Sequence, residues 1–476
     1  MTYFEWPLAL PYRPWRDQWG NTPGREALVT EMEGGDTRQR RRPADDVGTM
    51  QWGRSFSEAE MATWDDFLLD ISSGAARFLM PVPTTGATYQ TRVVQIVGGA
   101  GGISYSAVGI ETQVSFSLLV FPSDMVPLPE ITLFDYFILG TGIAGWTVDV
   151  EIDGVVRSAA VATDGAFEID GSDLSPGTYS VRVRHGNGVW SAAEDYTIAA
   201  AVLDAFAADL YSASGLKLLL SSYVGSPCAR VRRSSDGLEA DIGFGPDRWI
   251  STDEITAHCG SGSGYVTRWY DQSGNGRRWV QASGPSQARI YNAGVLDVGP
   301  NEKPMLVFSG TQSYSPETAG FARNASNVTV ALAGASTAPG ASGAFFTASR
   351  AAPNISWYRL GLLCIVGTSA RFSASANDAD NPPLASRSYT AGTWARMIGR
   401  ARFTAGNVDF AIDGTTTTAS LGTTTPSLDS YGQVFDRIGA SPNGGSPLTG
   451  PISCMVLSRS ALDVAALDTA LQGVMS

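Results

Sequence analysis

Short alternating apolar runs, cut by turn residues every ten or so positions and rarely extended into a helical period, limit most strongly what this chain can fold into. Trp146, Val148, Val150 and Ile152 alternate up to Asp153-Gly154, a pair suited to the left-handed backbone of a tight hairpin. Asp164-Gly165 precedes Phe167 and Ile169, and Ser175-Pro-Gly-Thr-Tyr179 leads into Val181 and Val183. A side-chain period of two buries one face of a sheet, so Ile131 to Ala199 reads as all β. Composition points the same way. The 476 residues include 53 glycines, and charged residues make up 17%, below the typical ~25%, which argues against a helical bundle or coiled coil. A 43% hydrophobic content with 12 Trp argues against disorder.

At about 150 residues per domain the length predicts three domains. Residues 1–122 read as a small α+β unit. An aromatic lead (Phe4, Trp6, Tyr12, Trp15, Trp19) precedes strands near Ala27 to Met32 and Thr49 to Phe56. Ser57 is a good N-cap, Glu58 and Glu60 suit a helix N-terminus, and Met61, Trp64, Phe67, Leu68 and Ile71 recur at helical spacing. Gly74 is the expected left-handed end of that helix. Strands follow at Tyr89 to Val97 and Glu111 to Phe121. The Gly-rich run after Val97 lacks the Lys and Ser/Thr of a phosphate-binding loop and reads as a flexible hairpin loop. Pro122, Pro127 and Pro129 mark a stiff linker. Residues 130–199 have the strand spacing of an immunoglobulin-like or fibronectin III-like sandwich, which Pro176-Gly-Thr-Tyr-Ser-Val-Arg-Val183 also resembles. Residues 203–476 carry many strands, such as Asn327 to Leu332, Trp394 to Arg402 and Val408 to Ile412, and a closing helix within Ala461 to Met475. That length suits a large jelly roll rather than a small sandwich.

Charge narrows the function classes. With 33 basic and 46 acidic residues the net charge is −13, which disfavours a specific nucleic-acid partner. Only Lys217 and Lys303 are lysines; every other basic residue is Arg, the side chain with a planar, carboxylate-matching fork. His185 and His258 stand in different predicted domains, so neither a His triad nor a multi-His metal site is expected, and no cofactor is. Asn377 to Asn381 is acidic but lacks the EF-hand spacing and reads as a plain turn. No signal-peptide pattern opens the sequence, and no apolar run approaches the ~20 residues of a membrane span, so no membrane insertion is expected.

The stretches Cys228-Ala-Arg-Val-Arg-Arg-Ser-Ser-Asp236, Asp241-Ile-Gly-Phe244 and Trp269-Tyr-Asp-Gln-Ser-Gly-Asn-Gly276 resemble the catalytic domain of family 54 α-L-arabinofuranosidases, a concanavalin-A-like jelly roll, over about 203–308. Beyond that, the stretches around Trp394 to Gly414 and Phe435 to Gly439 resemble laminin-G-type or lectin sheets. The enzyme implied would need two carboxyl groups about 5 Å apart. The family's vicinal cysteine pair is missing here, and after Asp271 the only glutamates are Glu302 and Glu317, so no nucleophile can be placed. Sugar binding asks for less, and Trp269, Tyr270, Gln272, Asn275 and Trp279 are its candidates, although Trp269 and Trp279 read more readily as core residues of a jelly roll. Asp271, Gly274 and Gly276 are the structural residues of the turn. Cys228 and Cys259 are either a disulfide, as in a secreted family, or reduced thiols.

The stretch Glu26-Ala-Leu-Val-Thr-Glu-Met-Glu-Gly-Gly-Asp36 running into Arg38-Gln-Arg-Arg-Arg42, the helix around Trp64 and the later Arg77-Phe-Leu-Met-Pro-Val-Pro83 resemble the distal-tail proteins of long-tailed bacteriophages. That resemblance implies a tail-tube-like fold, a ring homo-oligomer (a hexamer), other tail proteins as partners and a virion location. Arg38, Arg40, Arg41 and Arg42 are then either a solvated loop or a subunit contact. Together these readings describe a mainly β tail protein that displays a jelly roll to host-surface glycans. A tail-borne glycosidase and a ligand-free decoration protein are the alternatives.

Overall fold

The structure is a computed structural model, and it describes residues 3–7, 9–15, 20–22, 28–31, 37–40, 47–83, 89–122, 126–134, 136–186, 188–299, 302–337, 343–350, 360–365, 368–375, 384–421, 434–441 and 446–475. The chain is mainly β, and its contacts divide it into two units. One comprises Met1–Leu133, Ile138–Ile169 and Thr178–Tyr196; the other comprises Phe134–Phe137, Asp170–Gly177 and Thr197–Ser476.

The first unit opens with a seven-stranded sheet that runs Phe4–Glu5, Phe78–Pro83, Tyr89–Ile96, Glu111–Val120, Gly48–Phe56 and Gly20–Thr22, with Ser104–Val108 added on Glu111–Val120. Helix α1, Glu58–Asp70, starts where Ser57 and Glu60 form a reciprocal capping box: the Ser57 N–H donates to Glu60 Oε2 at 2.7 Å and the Glu60 N–H to Ser57 Oγ at 3.4 Å. Its buried Trp64 and Phe67 meet Trp6, Trp52, Phe78 and Phe116, with Trp64 stacked on Phe116 at 5.4 Å. The buried indoles keep their bonds: Trp6 Nε1 donates to Leu10 O and Trp52 Nε1 to Tyr12 O.

Gly74 does not end α1 directly. The cap is Ile71, and Ser72, Ser73 and Gly74 then all have positive φ. Gly74 is required by a close approach instead, since a Cβ there would meet the Gly99 backbone at 3.1 Å. The glycine run after Val97 forms a 3-10 turn, Gly99–Gly102, held by the Ala100 N–H on Ser73 O at 2.7 Å. Arg38 and Arg40 lie on Thr37–Arg40, which pairs with Leu28–Glu31 as a two-stranded sheet of its own; Arg41 and Arg42 lie outside the described residues, as does Asn377 to Asn381.

Two small sheets follow, of three and four strands. Thr147–Ile152 and Val155–Ala160 form the expected hairpin, with Ile152 opposite Val155 and with Asp153 and Gly154 at φ 45° and 85°. Val148, Val150, Val181 and Val183 fill one face.

The second unit holds a fourteen-stranded and a five-stranded sheet whose inner faces share one core. Gly399 shows how closely they pack: a Cβ there would fall 2.2 Å from the Phe372 ring, where only a hydrogen fits. The late strand Thr449–Ser458 lies between Leu306–Ser309 and Asn327–Gly334 and also pairs with the early strand Leu210–Gly215, which joins the two ends of this unit. Nearly every residue of Asn327–Gly334 is buried, so alternation fails there because both faces are covered. The closing helix, Val464–Met475, is fastened by Arg396, whose fork donates to both Asp468 oxygens at 2.9 and 3.1 Å.

Two buried titratable groups give the units opposite pH responses. Burial pushes Asp436 up to about 6, against the pull of the Phe321 and Gly320 N–H groups. Between that value and the ordinary carboxylate range the folded state binds the extra proton, so this contribution to stability falls as pH rises through the window. Burial pushes His185 down to about 4, so the unfolded state binds the extra proton between there and about pH 6.5, and stability rises with pH. Measured relative to wild type from pH 4 to 7, Asp436→Asn should gain Tm as pH rises and His185→Phe should gain it as pH falls. Parallel Tm curves would refute the assignments.

Candidate functional site

The segment from Trp269 to Gly276 is a staple. Asp271 Oδ1 accepts the N–H groups of Ala213 at 2.9 Å and Ser273 at 3.0 Å, and Oδ2 accepts that of Arg277 at 2.9 Å. Gln272, 1% exposed, accepts from the Leu219 N–H at 2.7 Å and donates to the carbonyls of Gly215 and Lys217 at 3.0 Å each. Asn275 Nδ2 donates to Leu210 O at 2.9 Å. Gly274 and Gly276 take φ 81° and 69°, the left-handed values the turn needs. All these bonds to Leu210, Ala213 and Gly215 bind the turn to one strand, Leu210–Gly215.

This geometry corrects the sugar-face assignment of Trp269, Trp279 and Gln272. Trp269 and Trp279 sit opposite each other on paired strands and are 0% and 1% exposed, so both are core and neither has a free face for a sugar ring. Gln272 and Asn275 direct their amides at backbone. Tyr270 is 9% exposed, and its hydroxyl donates to Asp241 Oδ1 at 2.7 Å. Glu317 is paired with Arg278 at 2.7 Å.

The disulfide expectation is also corrected, since Cys228 and Cys259 are both free and buried. The Cys228 thiol donates to Gly215 O at 3.2 Å just before the Ala229–Arg233 strand. Cys259, at the end of helix α2 (Thr252–Cys259), packs on Gly264, which pairs with Arg233 at the strand's other end. Five residues of strand span roughly 16 Å, far beyond disulfide reach. Among the described residues no group of three or more His, Cys, Asp or Glu side chains could hold a metal ion, and no helix is long and apolar enough to cross a membrane.

The exposed residues of the same sequence stretches gather elsewhere. Arg230 donates from Nε and Nη2 to the two oxygens of Asp241 at 2.7 and 2.5 Å, and with the Tyr270 hydroxyl it holds the Asp241 carboxyl below its ordinary range. Asp241 lines a cleft of about 430 Å³ with Phe244, Glu254, Phe137 and Arg248. Glu254 lies in the first turn of α2, whose Ser251 N-cap accepts the Glu254 N–H, and its Oε2 in turn accepts the Gly243 N–H at 2.9 Å. Arg248 is fixed by the carbonyl of Ala199 at 2.6 Å and stands 5.3 Å over the buried Tyr136 ring. The cleft thus offers half-exposed aromatic side chains beside two carboxylates from different elements. Its signal lay in Asp241-Ile-Gly-Phe244, an acid on the Glu239–Ile242 strand followed by an aromatic ring just past the strand's end.

No protein family and no curated protein matches the chain. Solved structures give distant likenesses. A GH54 α-L-arabinofuranosidase soaked with a cyclic sulfate inhibitor is 13% identical over 57% of this chain and 64% of its own, at a TM-score of 0.38. The chain therefore spans less than two thirds of that enzyme's length. The Ruminococcus gnavus IT-sialidase CBM40 bound to α2,3 sialyllactose is 13% identical over 30% of this chain and 82% of its own, at 0.27. The botulinum neurotoxin type G receptor binding domain is 11% identical over 43% and 48%, at 0.30. None of these likenesses bears on what this chain binds.

Asp271→Ala would leave buried backbone donors of two segments without acceptors. The expected loss is roughly 3 kcal/mol of unfolding free energy, measured by urea denaturation, with Asp271→Asn losing less because one acceptor oxygen remains. An unchanged midpoint for Asp271→Ala would refute the staple.

Proposed function

We propose that the chain is a virion protein of a long-tailed bacteriophage whose residues 1–122 dock in the tail as a hexameric ring beside other tail proteins, and whose residues 203–476 bind host-surface glycan. The glycan reading is carried by the cleft. Phe244 presents an apolar surface of the kind that packs against the C–H face of a pyranose, next to oriented polar groups. A carboxylate has about four lone-pair sites. Asp241 uses three, on Arg230 and Tyr270, which leaves an ionised acceptor for a sugar hydroxyl. Gly243 and Gly245 in the cleft wall let the ring approach the backbone. With two acids against Arg248, the lining favours a neutral saccharide. Each contact is weak, of order millimolar, and the copies on one particle multiply it.

The docking reading is supported by the tail-protein resemblance of residues 1–122 and by the Leu28–Glu31 and Thr37–Arg40 hairpin, which carries Arg38 and Arg40 outside the seven-stranded sheet. A second reading, a tail-borne glycosidase, is favoured by the two carboxylates in the cleft. In it Asp241, held ionised, is the nucleophile and Glu254 the acid.

Titration calorimetry of the full chain with neutral host-surface oligosaccharides should show binding that Phe244→Ala weakens about tenfold, or ~1.4 kcal/mol. No retention on glycan arrays or host polysaccharide would overturn glycan binding and leave decoration. Release of reducing sugar that Asp241→Asn abolishes would establish the glycosidase in its place. Negative-stain microscopy should show closed rings that Arg41→Glu with Arg42→Glu disrupts; a monomer at all concentrations would overturn docking.

A further inference from the structure

We infer a second, cationic binding site on the open face of the large sheet, built around Arg232 and suited to the oxyanion of an acidic saccharide, a uronate carboxylate or a sulfate ester. Val231, Val266, Ile290 and Leu306 are fully buried, so their strand neighbours Arg232, Tyr265, Arg289 and Val307 face outward. Register sets these in one row across four adjacent strands, Arg232 opposite Tyr265, Tyr265 opposite Arg289, and Arg289 opposite Val307. The row lines a groove of about 550 Å³ that Gln312 and the backbone of Gly284 help to close.

Arg232 is held in place by neutral groups. Its guanidinium lies 5.2 Å over the Tyr265 ring, and its Nε donates to Gln287 Oε1 at 2.9 Å. Gln287 is itself 3% exposed and anchored through Nε2 to Gln281 O at 3.0 Å. Nη2 lies over Gly284, where a Cβ would stand only 3.5 Å away.

Arg230, Arg233 and Arg289 each donate two bonds to a carboxylate, from Asp241, Asp236 and Asp297 respectively. Among the described residues no carboxylate pairs with Arg232. A fork so oriented, with its Nη groups toward a groove in a chain of net charge −13, matches an anion brought from outside. Gln312 adds a neutral donor: its Oε1 accepts the Ser309 N–H at 2.6 Å, which leaves Nε2 for a ring hydroxyl. The site is separate from the cleft and has the opposite charge preference.

The test is calorimetry of the full chain with three probes: an oligogalacturonate, a sulfated oligosaccharide of similar length, and inorganic sulfate. At least one acidic oligosaccharide should bind, more weakly at 500 than at 50 mM NaCl. Arg232→Gln should lose tenfold or more and Arg232→Lys an intermediate amount, because charge survives but the oriented fork does not. Neutral-sugar binding, which depends on Phe244, should be unchanged in Arg232→Gln, so failure here is distinguishable from failure of the cleft. Equal acidic-sugar affinity in a folded Arg232→Gln protein, or no binding of either oligosaccharide to wild type, overturns the site. Inorganic sulfate binding as tightly as both oligosaccharides overturns the saccharide and leaves a simple anion site.

Discussion

The Asp271 carboxylate receives backbone N–H groups from two separate stretches, Ala213 in an early strand and Ser273 and Arg277 in its own turn, and much of the second unit follows from that bond set. It fixes Leu210–Gly215, and that strand pairs with Thr449–Ser458, the strand that also pairs with Leu306–Ser309 and Asn327–Gly334. A buried carboxylate is tolerated only when its oxygens are satisfied by donors, and here the donors are the backbone itself. The residue immediately before Asp271 is Tyr270. Holding Asp271 therefore also holds the hydroxyl that meets Asp241, which places one wall of the cleft.

Arginine does most of the remaining positioning. With only two lysines, the chain relies on forks that take two bonds at a time: Arg396 on Asp468 fastens the closing helix, and Arg400 on Asp409 ties a buried acid at 2.8 Å. Such pairs consume charge locally, so a protein with few charged residues still has rigid polar faces. They also make Arg232, which has no carboxylate partner among the described residues, distinct from its neighbours on the Ala229–Arg233 strand.

Much of the fold was legible because the signals were local. Ser57 and Glu60 announce a capping box, and Asp153-Gly154 announces a two-residue hairpin, whatever lies around them. The end of α1 was not legible, because Gly74 answers to Gly99, a residue 25 positions away in sequence. The sugar-face reading failed at the two Trp residues, which are core. Trp269 and Trp279 have the chemistry of sugar platforms, yet which face of a strand they occupy depends on the register that places them opposite each other in the core. Alternation within Cys228 to Arg233 could have sent Arg230 and Arg232 outward. What each would face there, Asp241 for one and Tyr265 for the other, depends on strand pairings between residues far apart in sequence.

Arg230 and Arg232 stand two residues apart on one strand, about 7 Å between Cα atoms, and take part in the proposed cleft and the proposed groove respectively. The cleft is acidic where it would meet hydroxyls, and the groove is cationic where it would meet an oxyanion. On these two proposals a polymer carrying neutral and acidic residues in succession would satisfy both sites, whereas a homopolymer of either kind would satisfy one. Because the second contact on the same chain is intramolecular, its effective concentration lies in the millimolar range, comparable to the weak affinity of a single sugar contact. If both proposed sites bind, selectivity would come from the order of charges along the polysaccharide more than from the fit of any single ring. Such a division suits a surface whose individual contacts must stay weak enough to release.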